Sequence, residues 1–301
     1  MIGPGVVAVP VAGVWTAPDG PREVDAPAIA DRPDLAAWTA ALNTCLRRGL
    51  HGRFESQLLL GDAVAVLGGG GGWSQVVATG QPCSKDARGY PGWVRTAHLG
   101  SADTARPPTG PSAPPPQVVI TAMSARLRTA PAGAPVLEAG YGTWLPVTGE
   151  PTAGALPVGV PSRENSLWIR QIDVDREPAT DRPGLVAEAR RFLGLPYLWG
   201  GTSSYGLDCS GLIYLVGRRF GIALPRDAHD QAAACEPVPL ADVAPGDLYF
   251  FARPGQAIHH VGFVVEPGRL LDSPQTGGTV GEAPITAARQ QMARSAGRIP
   301  I

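Results

Sequence analysis

Cys209 stands at a position where a cysteine can act as a nucleophile. Asp208 precedes it and is a preferred helix N-cap residue, and the following CSGLIYLVGRRF places its apolar side chains on one helical face before Gly221. Cys209 is therefore predicted to be the first residue of a helix, where the dipole and free backbone N–H groups favour thiolate over thiol. The alternative is a small buried hydrophobic residue, the usual state of a free cysteine.

Two adjacent histidines supply candidates for the base that a cysteine nucleophile needs. His259 and His260 precede the strand-like run VGFVV. Neighbouring side chains of a strand point to opposite faces, so only one of the two can address Cys209. The other is predicted to be structural or to face solvent.

A carboxylate that can orient the imidazole follows on the next predicted strand. If residues 266–268 form a three-residue loop with a left-handed glycine, the flanking strands pair so that Gly262 lies opposite Asp272. Asp272 then shares a face with His260 and lies diagonally across from it, whereas a two-residue loop would place it on the opposite face. The register therefore predicts a set of Cys209, His260 and Asp272, the arrangement that thiol hydrolases use.

The other three cysteines show no pattern that indicates a metal or a disulfide framework. Cys45, Cys83 and Cys235 have no C-x-x-C spacing and no basic partner in sequence. We interpret them as packing residues. The sequence predicts neither a metal site nor a cofactor.

The composition favours a folded chain and argues against several kinds of partner. Of 301 residues, 44% are hydrophobic and 17% are charged, and 39 glycines with 32 prolines indicate short elements joined by tight turns. The formal net charge is −1. A chain without excess positive charge lacks the field that non-specific binding to nucleic acid or to an anionic membrane requires.

The N-terminal segment is apolar, with the sequence MIGPGVVAVPVAGVW, but it lacks the features of a signal peptide. No basic residue precedes Arg22, and Pro4 and Pro10 interrupt any helix. We therefore interpret the segment as strand. No uninterrupted apolar run of about 18 residues predicts a transmembrane helix. The expected location is cytoplasmic, or extracellular or wall-associated if a leader is missing from this sequence.

A proline-rich segment divides the chain. TARPPTGPSAPPPQ at 104–117 favours an extended spacer, and the polar REPATD at 176–181 marks a second boundary. Short strand-like runs with glycine turns on both sides of the spacer suggest two small β-barrels, although their tryptophans are also compatible with unrelated β-domains. The predicted boundaries are 1–105 for the first barrel, 106–117 for the spacer, 118–176 for the second barrel and 177–301 for the last domain.

Helical patterns occur in the first and last domains. DLAAWTAALNTCLRR at 34–48 repeats apolar residues at three and four positions, which predicts one helix inserted into the first barrel. After Pro183, two helices precede the strand-like runs YFFA, HVGFVV and RLLDS, so the last domain is predicted as an α+β module with an antiparallel sheet. The arginines within 289–298 are interpreted as a solvated helix face or tail.

Several motifs of the last domain, in order, resemble those of the NlpC-type cell-wall cysteine peptidases. They are LGLPYLWGGTSSYGLDCSGLIYLV, GIALPRDAHDQ, VAPGDLYFF, HHVGFVV and RLLDSP, which cover most of residues 183–281. The resemblance implies a circularly permuted papain-like α+β fold with Cys209 as nucleophile and His260 as base. The family's third polar position, more often His, Asn or Gln, falls on Asp272 here.

A weaker resemblance extends to the front of the chain. GDAV at 61–64 and GYPGW at 89–93 are similar to segments of family members with two bacterial SH3-like domains, the first of which closes over the active site. The resemblance implies one group of residues that recognises the amine of the substrate and a second group that lines the pocket. The first group is Asp62, Tyr90 and Asp227, and the second is Tyr197, Asp208 and Ser210.

Asp62 and Ala228, the neighbour of Asp227, depart from the family pattern, and three of the six residues have a structural alternative. Asp62 is one methylene shorter than the usual Glu, and Ala228 replaces a frequent serine that would bind the carboxylate of the substrate. Asp227 and Asp208 are also suitable as helix caps, and Asp62 as a turn carboxylate.

The resemblance also implies an activity. It is hydrolysis of the bond between γ-D-glutamate and the diamino acid of peptidoglycan-derived peptides that have a free N-terminal L-alanine, without a cofactor. The expected partners are muropeptides, with no nucleic acid and no membrane insertion, and the expected state is a monomer. The alternatives are a secreted lysin that acts on polymeric wall, a non-catalytic wall-binding protein, and a thiol acyltransferase or amidase on the same fold.

Overall fold

A computed structural model describes residues 2–101, 116–179 and 181–300. Most of the predicted spacer 106–117 lies outside these residues. Pro116 and Gln117 are described, and Gln117 already begins a strand. The described chain forms three β-containing regions, of which the third also carries the Cys209 helix.

The first region is a single antiparallel sheet of seven strands. The strands are β1 (Gly3–Val7), β2 (Val11–Trp15), β3 (Phe54–Leu59), β4 (Ala63–Gly70), β5 (Trp73–Ala78), β6 (Tyr90–Arg95) and β7 (Leu99–Ser101). Their order is β3-β2-β6-β5-β4-β1-β7. The predicted hairpin is present, since Gly70 pairs with Trp73 and the turn residues Gly71 and Gly72 both have positive φ, as a tight hairpin turn requires. The predicted N-terminal strand is also confirmed, as the pair β1 and β2.

Three short helices are inserted between β2 and β3. They are α1 (Ala26–Ile29), α2 (Leu35–Ala41) and α3 (Thr44–Arg48). The prediction of one helix over 34–48 is therefore wrong at its centre. Leu42 is extended, and the Asn43 side chain accepts a hydrogen bond from the backbone N–H of Leu46, so Asn43 caps a new helix.

The second region consists of two small antiparallel sheets around a common apolar core. Its strands are β8 (Gln117–Ile120), β9 (Ser124–Arg128), β10 (Pro135–Gly140), β11 (Trp144–Pro146), β12 (Ala155–Val158), β13 (Leu167–Arg170) and β14 (Val174–Asp175). One sheet has the order β10-β9-β13-β12 and the other β11-β8-β14. Trp144 connects this region to the third, because its indole N–H donates to the carbonyl of Arg218 at 3.1 Å.

The third region packs helices against a six-stranded antiparallel sheet, which confirms the α+β prediction. Its elements are α4 (Arg182–Arg190), β15 (Thr202–Ser203), β16 (Gly206–Leu207), α5 (Cys209–Arg219), α6 (Ala228–Ala234), β17 (Glu236–Val238), β18 (Leu248–Phe251), β19 (His260–Glu266), β20 (Arg269–Asp272), β21 (Gly281–Pro284), α7 (Ala287–Met292) and β22 (Ala293–Arg298). The main sheet has the order β17-β22-β18-β19-β20-β21, and α5 packs against β19.

The C-terminal segment is not a solvated tail, as the sequence suggested. β22 lies inside the sheet between β17 and β18. Arg298 on this strand donates from Nε and Nη2 to the buried carboxylate of Asp247, with both contacts at 2.8 Å. The strand was missed because ARSAGR lacks the apolar alternation that marks a half-buried strand.

The first region packs directly on the third. Trp38 and Phe54 of the first region share one hydrophobic core with Leu198 and Leu207 of the third. Gln57 of β3 adds polar contacts, because its Oε1 accepts from the backbone N–H of Thr202 at 2.9 Å. These contacts place β3 and its neighbours beside the start of α5, which carries Cys209.

Within the described residues, no helix is long and apolar enough to span a membrane.

Candidate active site

Cys209 is the first residue of α5, as predicted, and its side chain is buried. Asp208 caps the helix, since its carboxylate accepts from the backbone N–H of Gly211 at 2.7 Å and of Gly200 at 2.9 Å. Gly211 is required by packing, because a Cβ there would lie 2.0 Å from the carbonyl oxygen of Gly201. The motif D-C-S-G therefore fixes the helix start against the preceding loop and leaves the thiol at the end where N–H groups are free.

His260 and Asp272 form the contact that the register predicted. His260 Nε2 lies 2.6 Å from Asp272 Oδ2, and both side chains are buried. A Cβ on Gly262 would lie 2.7 Å from Cβ of Asp272, so Gly262 is opposite Asp272. The loop itself differs from the prediction: the turn has two residues, and a bulge at Val265 adds the residue that restores the register.

The charges of the site raise the pKa of His260. Burial alone would lower it, but the negative charge of Cys209, hydrogen bonds to Asp272 and Cys209 and the charge of Asp272 together raise the pKa to about 9. Burial would raise the pKa of Asp272, but hydrogen bonds from His260 and Arg289 lower it. These directions favour a protonated His260 with an ionised Asp272 behind it.

Only one of the two histidines faces the thiol. His259 is exposed and contributes its backbone carbonyl, which lies 4.0 Å from Cys209 Sγ. Burial and the positive charge of His260 lower the pKa of His259. The ring of His259 lines the outer part of the cleft.

Arg289 is a site residue that the sequence interpretation missed. Its Nη2 donates to Oδ2 of Asp272 and lies 2.7 Å from His260 Nε2, and its guanidinium lies 5.4 Å from the ring centre of Phe251. It lies on α7, a helix of six residues with no apolar periodicity. No local signal in the sequence could have connected this arginine to residues on β19 and β20.

An open cleft of about 650 Å³ leads to the thiol. Tyr197 forms part of its wall, as predicted, and burial with the negative charges of Asp208 and Cys209 raises the pKa of its phenol. The lining residues include aromatic, histidine and arginine side chains. They are His51, Tyr197, Trp199, Cys209, Phe251, Arg253, Gln256, His259, His260, Pro274, Gln275, Arg289 and Met292.

Asp208 and Ser210 do not line this cleft, which corrects the expectation for these two residues; they belong to a buried polar network beside it. Arg226, with 1% of its side chain exposed, donates from Nη2 to Asp208 Oδ2 at 2.6 Å and from Nη1 to Ser210 Oγ at 3.0 Å. Its Nε donates to the hydroxyl of Ser56 on β3. Arg226 was not singled out from the sequence, although it directly precedes Asp227.

Tyr90 and Asp227 meet at the side of this network, as predicted, in a group that we call the Tyr90 cluster: Glu55, Lys85, Tyr90 and Asp227. The Tyr90 hydroxyl lies 2.9 Å from Glu55 Oε2 and 3.2 Å from Asp227 Oδ2. Burial and the negative charge of Asp227 raise the pKa of Tyr90, so the hydroxyl keeps its proton and donates. Asp227 makes no side-chain cap to α6, which removes the structural alternative for this residue.

Asp62 is not in this cluster, which corrects the sequence interpretation. Its Oδ2 accepts from the backbone N–H of Leu59, and its Oδ1 accepts from Arg218 Nη2 at 2.8 Å. It thus closes the turn before β4 and pairs with the far end of α5. The carboxylate from the first region that faces Tyr90 is Glu55, at the start of β3.

Asp227, His229 and Asp230 offer three possible metal-ligand atoms within 4.8 Å of one another. Their contacts serve the loop 79–89 instead. Asp230 accepts from the backbone N–H of Ser84 at 2.9 Å, and Asp227 Oδ2 lies 3.7 Å from Lys85 Nζ.

Comparison with known proteins identifies the family. A model of the NlpC/P60 family matches residues 194–295. The chain is 37% identical to Gamma-D-glutamyl-L-lysine dipeptidyl-peptidase of Bacillus subtilis over 90% of each chain. It is 32% identical to the protein of the same name from Bacillus cereus, over 92% of this chain and 85% of that one.

A solved structure extends the similarity to nearly the whole fold. The crystal structure of an NlpC/P60 family protein from Bacillus cereus matches with a TM-score of 0.89 and 30% identity, and the match covers 98% of this chain and 99% of that one. The similarity thus includes the regions before the matched family segment. The chain belongs to the NlpC/P60 family and is a cysteine peptidase with the papain-like α+β fold of that family.

Proposed function

We propose that this peptidase hydrolyses the bond between γ-D-glutamate and the diamino acid in peptidoglycan-derived peptides whose N-terminal L-alanine is free. The observation that carries the proposal is the position of the Tyr90 cluster relative to the thiol. Arg226 and Asp227 are consecutive: Arg226 binds Asp208, which precedes Cys209, and Asp227 faces Tyr90. The carboxylates and the nucleophile are thus connected through one short segment of chain, and the proposal is that a short peptide spans the two.

The chemistry follows from the contacts of Cys209 and His260. The Cys209 thiolate attacks the γ-carbonyl carbon, and backbone N–H groups at the start of α5 stabilise the oxyanion. The His260 imidazolium protonates the leaving amine of the diamino acid, which completes the acyl-enzyme. His260 then takes a proton from water, which attacks the thioester and releases the dipeptide. Asp272 orients the imidazole through the 2.6 Å contact.

The Tyr90 cluster accounts for the requirement for a free amine. An N-terminal ammonium is a compact cation that can donate to the carboxylates of Glu55 and Asp227 and to the Tyr90 oxygen. N-acetylation removes the charge and adds bulk, which leaves the carboxylates without that partner. By analogy with the loss of one member of a buried charge pair, the penalty is about 2 to 5 kcal/mol, or roughly 30-fold or more in affinity.

The two front regions are proposed to be bacterial SH3-like domains. Their short antiparallel strands and tight turns support this assignment. In this proposal the first domain acts in recognition, because it supplies Glu55 and Tyr90 to the site.

Mass spectrometry of products from defined substrates tests the function. Purified protein is incubated with L-Ala-γ-D-Glu-L-Lys, with its N-acetylated form and with polymeric wall, and Cys209→Ala protein is the control. We expect cleavage of the free tripeptide after γ-D-glutamate, at least about 30-fold slower cleavage of the acetylated form, and no release from wall. Equal cleavage of the free and acetylated peptides would favour a wall lysin and contradict the proposal.

A further inference from the structure

We propose that Lys85 is a specificity-determining residue: its ammonium occupies the amine site of the free enzyme, and the N-terminal ammonium of the substrate replaces it. This inference rests on the proposed function, since it assumes that the Tyr90 cluster receives the amine of the substrate. It explains how the free enzyme balances the charge of the two carboxylates that contact the Tyr90 hydroxyl.

Lys85 contacts every member of the Tyr90 cluster. Its Nζ lies 2.6 Å from Glu55 Oε2 and 3.7 Å from Asp227 Oδ2. The same Nζ donates to the Tyr90 hydroxyl and lies 4.2 Å from the centre of the Tyr90 ring. A primary ammonium thus already makes the contacts that the proposed function assigns to the substrate.

The chain uses lysine at this position and nowhere else. Lys85 is the single lysine of the sequence, and the other 24 of its 25 basic residues are arginine. A lysine ammonium is a compact point charge with three donors, like an N-terminal ammonium, whereas guanidinium is planar and broader. The residue at the site is therefore the closest side-chain analogue of the proposed ligand group.

The side chain can leave the site without movement of the backbone. Lys85 lies in the loop 79–89, which is held to the third region by hydrogen bonds from Ser84 N–H to Asp230 and from Arg226 N–H to the carbonyl of Pro82, each at 2.9 Å. The Lys85 side chain is 41% exposed. Its four methylenes allow the ammonium to turn into solvent while the loop stays in place.

Exchange of one ammonium for another conserves charge at the site. A cationic N-terminus restores the hydrogen bonds of Glu55 and Asp227 when Lys85 leaves. The net change in binding free energy is then only the difference between two similar ammonium groups. A neutral, acetylated N-terminus cannot replace Lys85 in this way. Lys85 therefore competes with every ligand, and only a cationic ligand compensates for its displacement.

Steady-state kinetics of Lys85→Met protein tests the inference. Without the competing ammonium, the KM for the free tripeptide is expected to fall about tenfold, the change that one hydrogen bond to a charged group produces. The kcat should stay within about twofold, because Lys85 has no contact with Cys209, His260 or Asp272. A change of about twofold corresponds to a free energy well below that of one hydrogen bond to a charged group. Arg88→Met on the same loop is the matched control, since Arg88 pairs only with the neighbouring Asp86 among the described residues.

The outcomes separate this inference from the proposed function. A fall in KM for Lys85→Met with no change for Arg88→Met supports the competition, and melting curves check that both variants are folded. A higher or unchanged KM in Lys85→Met overturns it, because Lys85 would then assist binding or take no part. Equal cleavage of free and acetylated peptides by the unaltered protein would instead overturn the proposed function, and this inference with it.

Discussion

Arg226 and Asp208 form a buried ion pair at the N-terminus of the helix that carries Cys209, with Nη2 2.6 Å from Oδ2. Both residues make further contacts: Asp208 accepts hydrogen bonds from two backbone N–H groups, and Arg226 donates to the hydroxyl of Ser56 in the first region. One arginine thus joins the recognition region to the start of the catalytic helix. Its removal leaves a carboxylate buried without its charge partner.

Arg226→Met is therefore expected to destabilise the fold strongly. Loss of one partner from a buried ion pair costs about 3 to 5 kcal/mol in the free energy of unfolding. Denaturant unfolding measures this, with Arg126→Met as control. Arg126 pairs with Glu138 at 3.5 Å, and these side chains are 64% and 50% exposed, so its loss should cost about 1 kcal/mol or less. Similar losses in the two variants would mean that burial does not set the value of the Arg226 pair.

Cys209→Ala is expected to abolish turnover and leave the fold intact. The thiol supplies the bond to the γ-carbonyl, and loss of a nucleophile reduces kcat by at least about 10⁴-fold. Asp208 still caps α5 in this variant, so the melting temperature should change little. Cys45→Ala is the matched control, because Cys45 is exposed and lies outside the cleft lining. Activity that persists in Cys209→Ala protein, with contamination excluded, contradicts covalent catalysis.

The pH dependence of kcat/KM should follow the Cys209 and His260 pair. His260 must carry a proton to protonate the leaving amine, and its pKa is raised to about 9, so activity should fall as the pH rises through that value. In the unaltered protein, the hydrogen bond to Asp272 and its negative charge both raise the pKa of His260. Asp272→Asn removes the charge and weakens the hydrogen bond, so the pKa of His260 should fall. This variant should move the basic limb to lower pH.

The loss of activity in Asp272→Asn protein should be smaller than in Cys209→Ala, on the order of 100-fold. A profile of kcat/KM against pH for both proteins provides the measurement. If the unaltered protein has no basic limb above neutrality, the assignment of the Cys209 and His260 pair is contradicted. If the Asp272→Asn protein keeps full activity and its basic limb does not move, Asp272 has no role in catalysis.

The parts of the site that the sequence predicted are those set by local rules. Cys209 follows from an N-cap and an apolar helix face, and the contact of His260 with Asp272 follows from alternation along two paired strands. The loop between these strands was predicted with three residues and has two, but the bulge at Val265 leaves the register unchanged. The count of residues across the hairpin, which sets the face, was correct.

The parts that the sequence did not predict depend on packing between distant segments. Arg289 reaches Asp272 from a six-residue helix that has no pattern of its own. The helix over 34–48 breaks at Asn43, because a side-chain cap competes there with continued helix. Glu55 and Asp227 contact the same Tyr90 hydroxyl only because β3 packs beside the third region, and no pattern in the sequence around Glu55 indicates this arrangement.

The choice between Glu55 and Asp62 gives the sharpest test of the recognition site. Glu55 Oε2 lies 2.9 Å from the Tyr90 hydroxyl, whereas Asp62 is paired with Arg218. Glu55→Gln keeps the size of the side chain and removes its charge. It should lower kcat/KM for the free tripeptide about tenfold and reduce the ratio of kcat/KM between the free and the acetylated peptide.

Asp62→Asn serves as the matched variant, because it removes the same charge from a carboxylate that also belongs to the first region. It should lower the melting temperature through the weakened contact with Arg218 and leave the ratio of free to acetylated cleavage unchanged. Both ratios come from the same pair of peptides under the same conditions. If Asp62→Asn reduces the ratio of free to acetylated cleavage and Glu55→Gln does not, the amine is recognised near the turn before β4. The Tyr90 cluster then has no role in the choice of substrate.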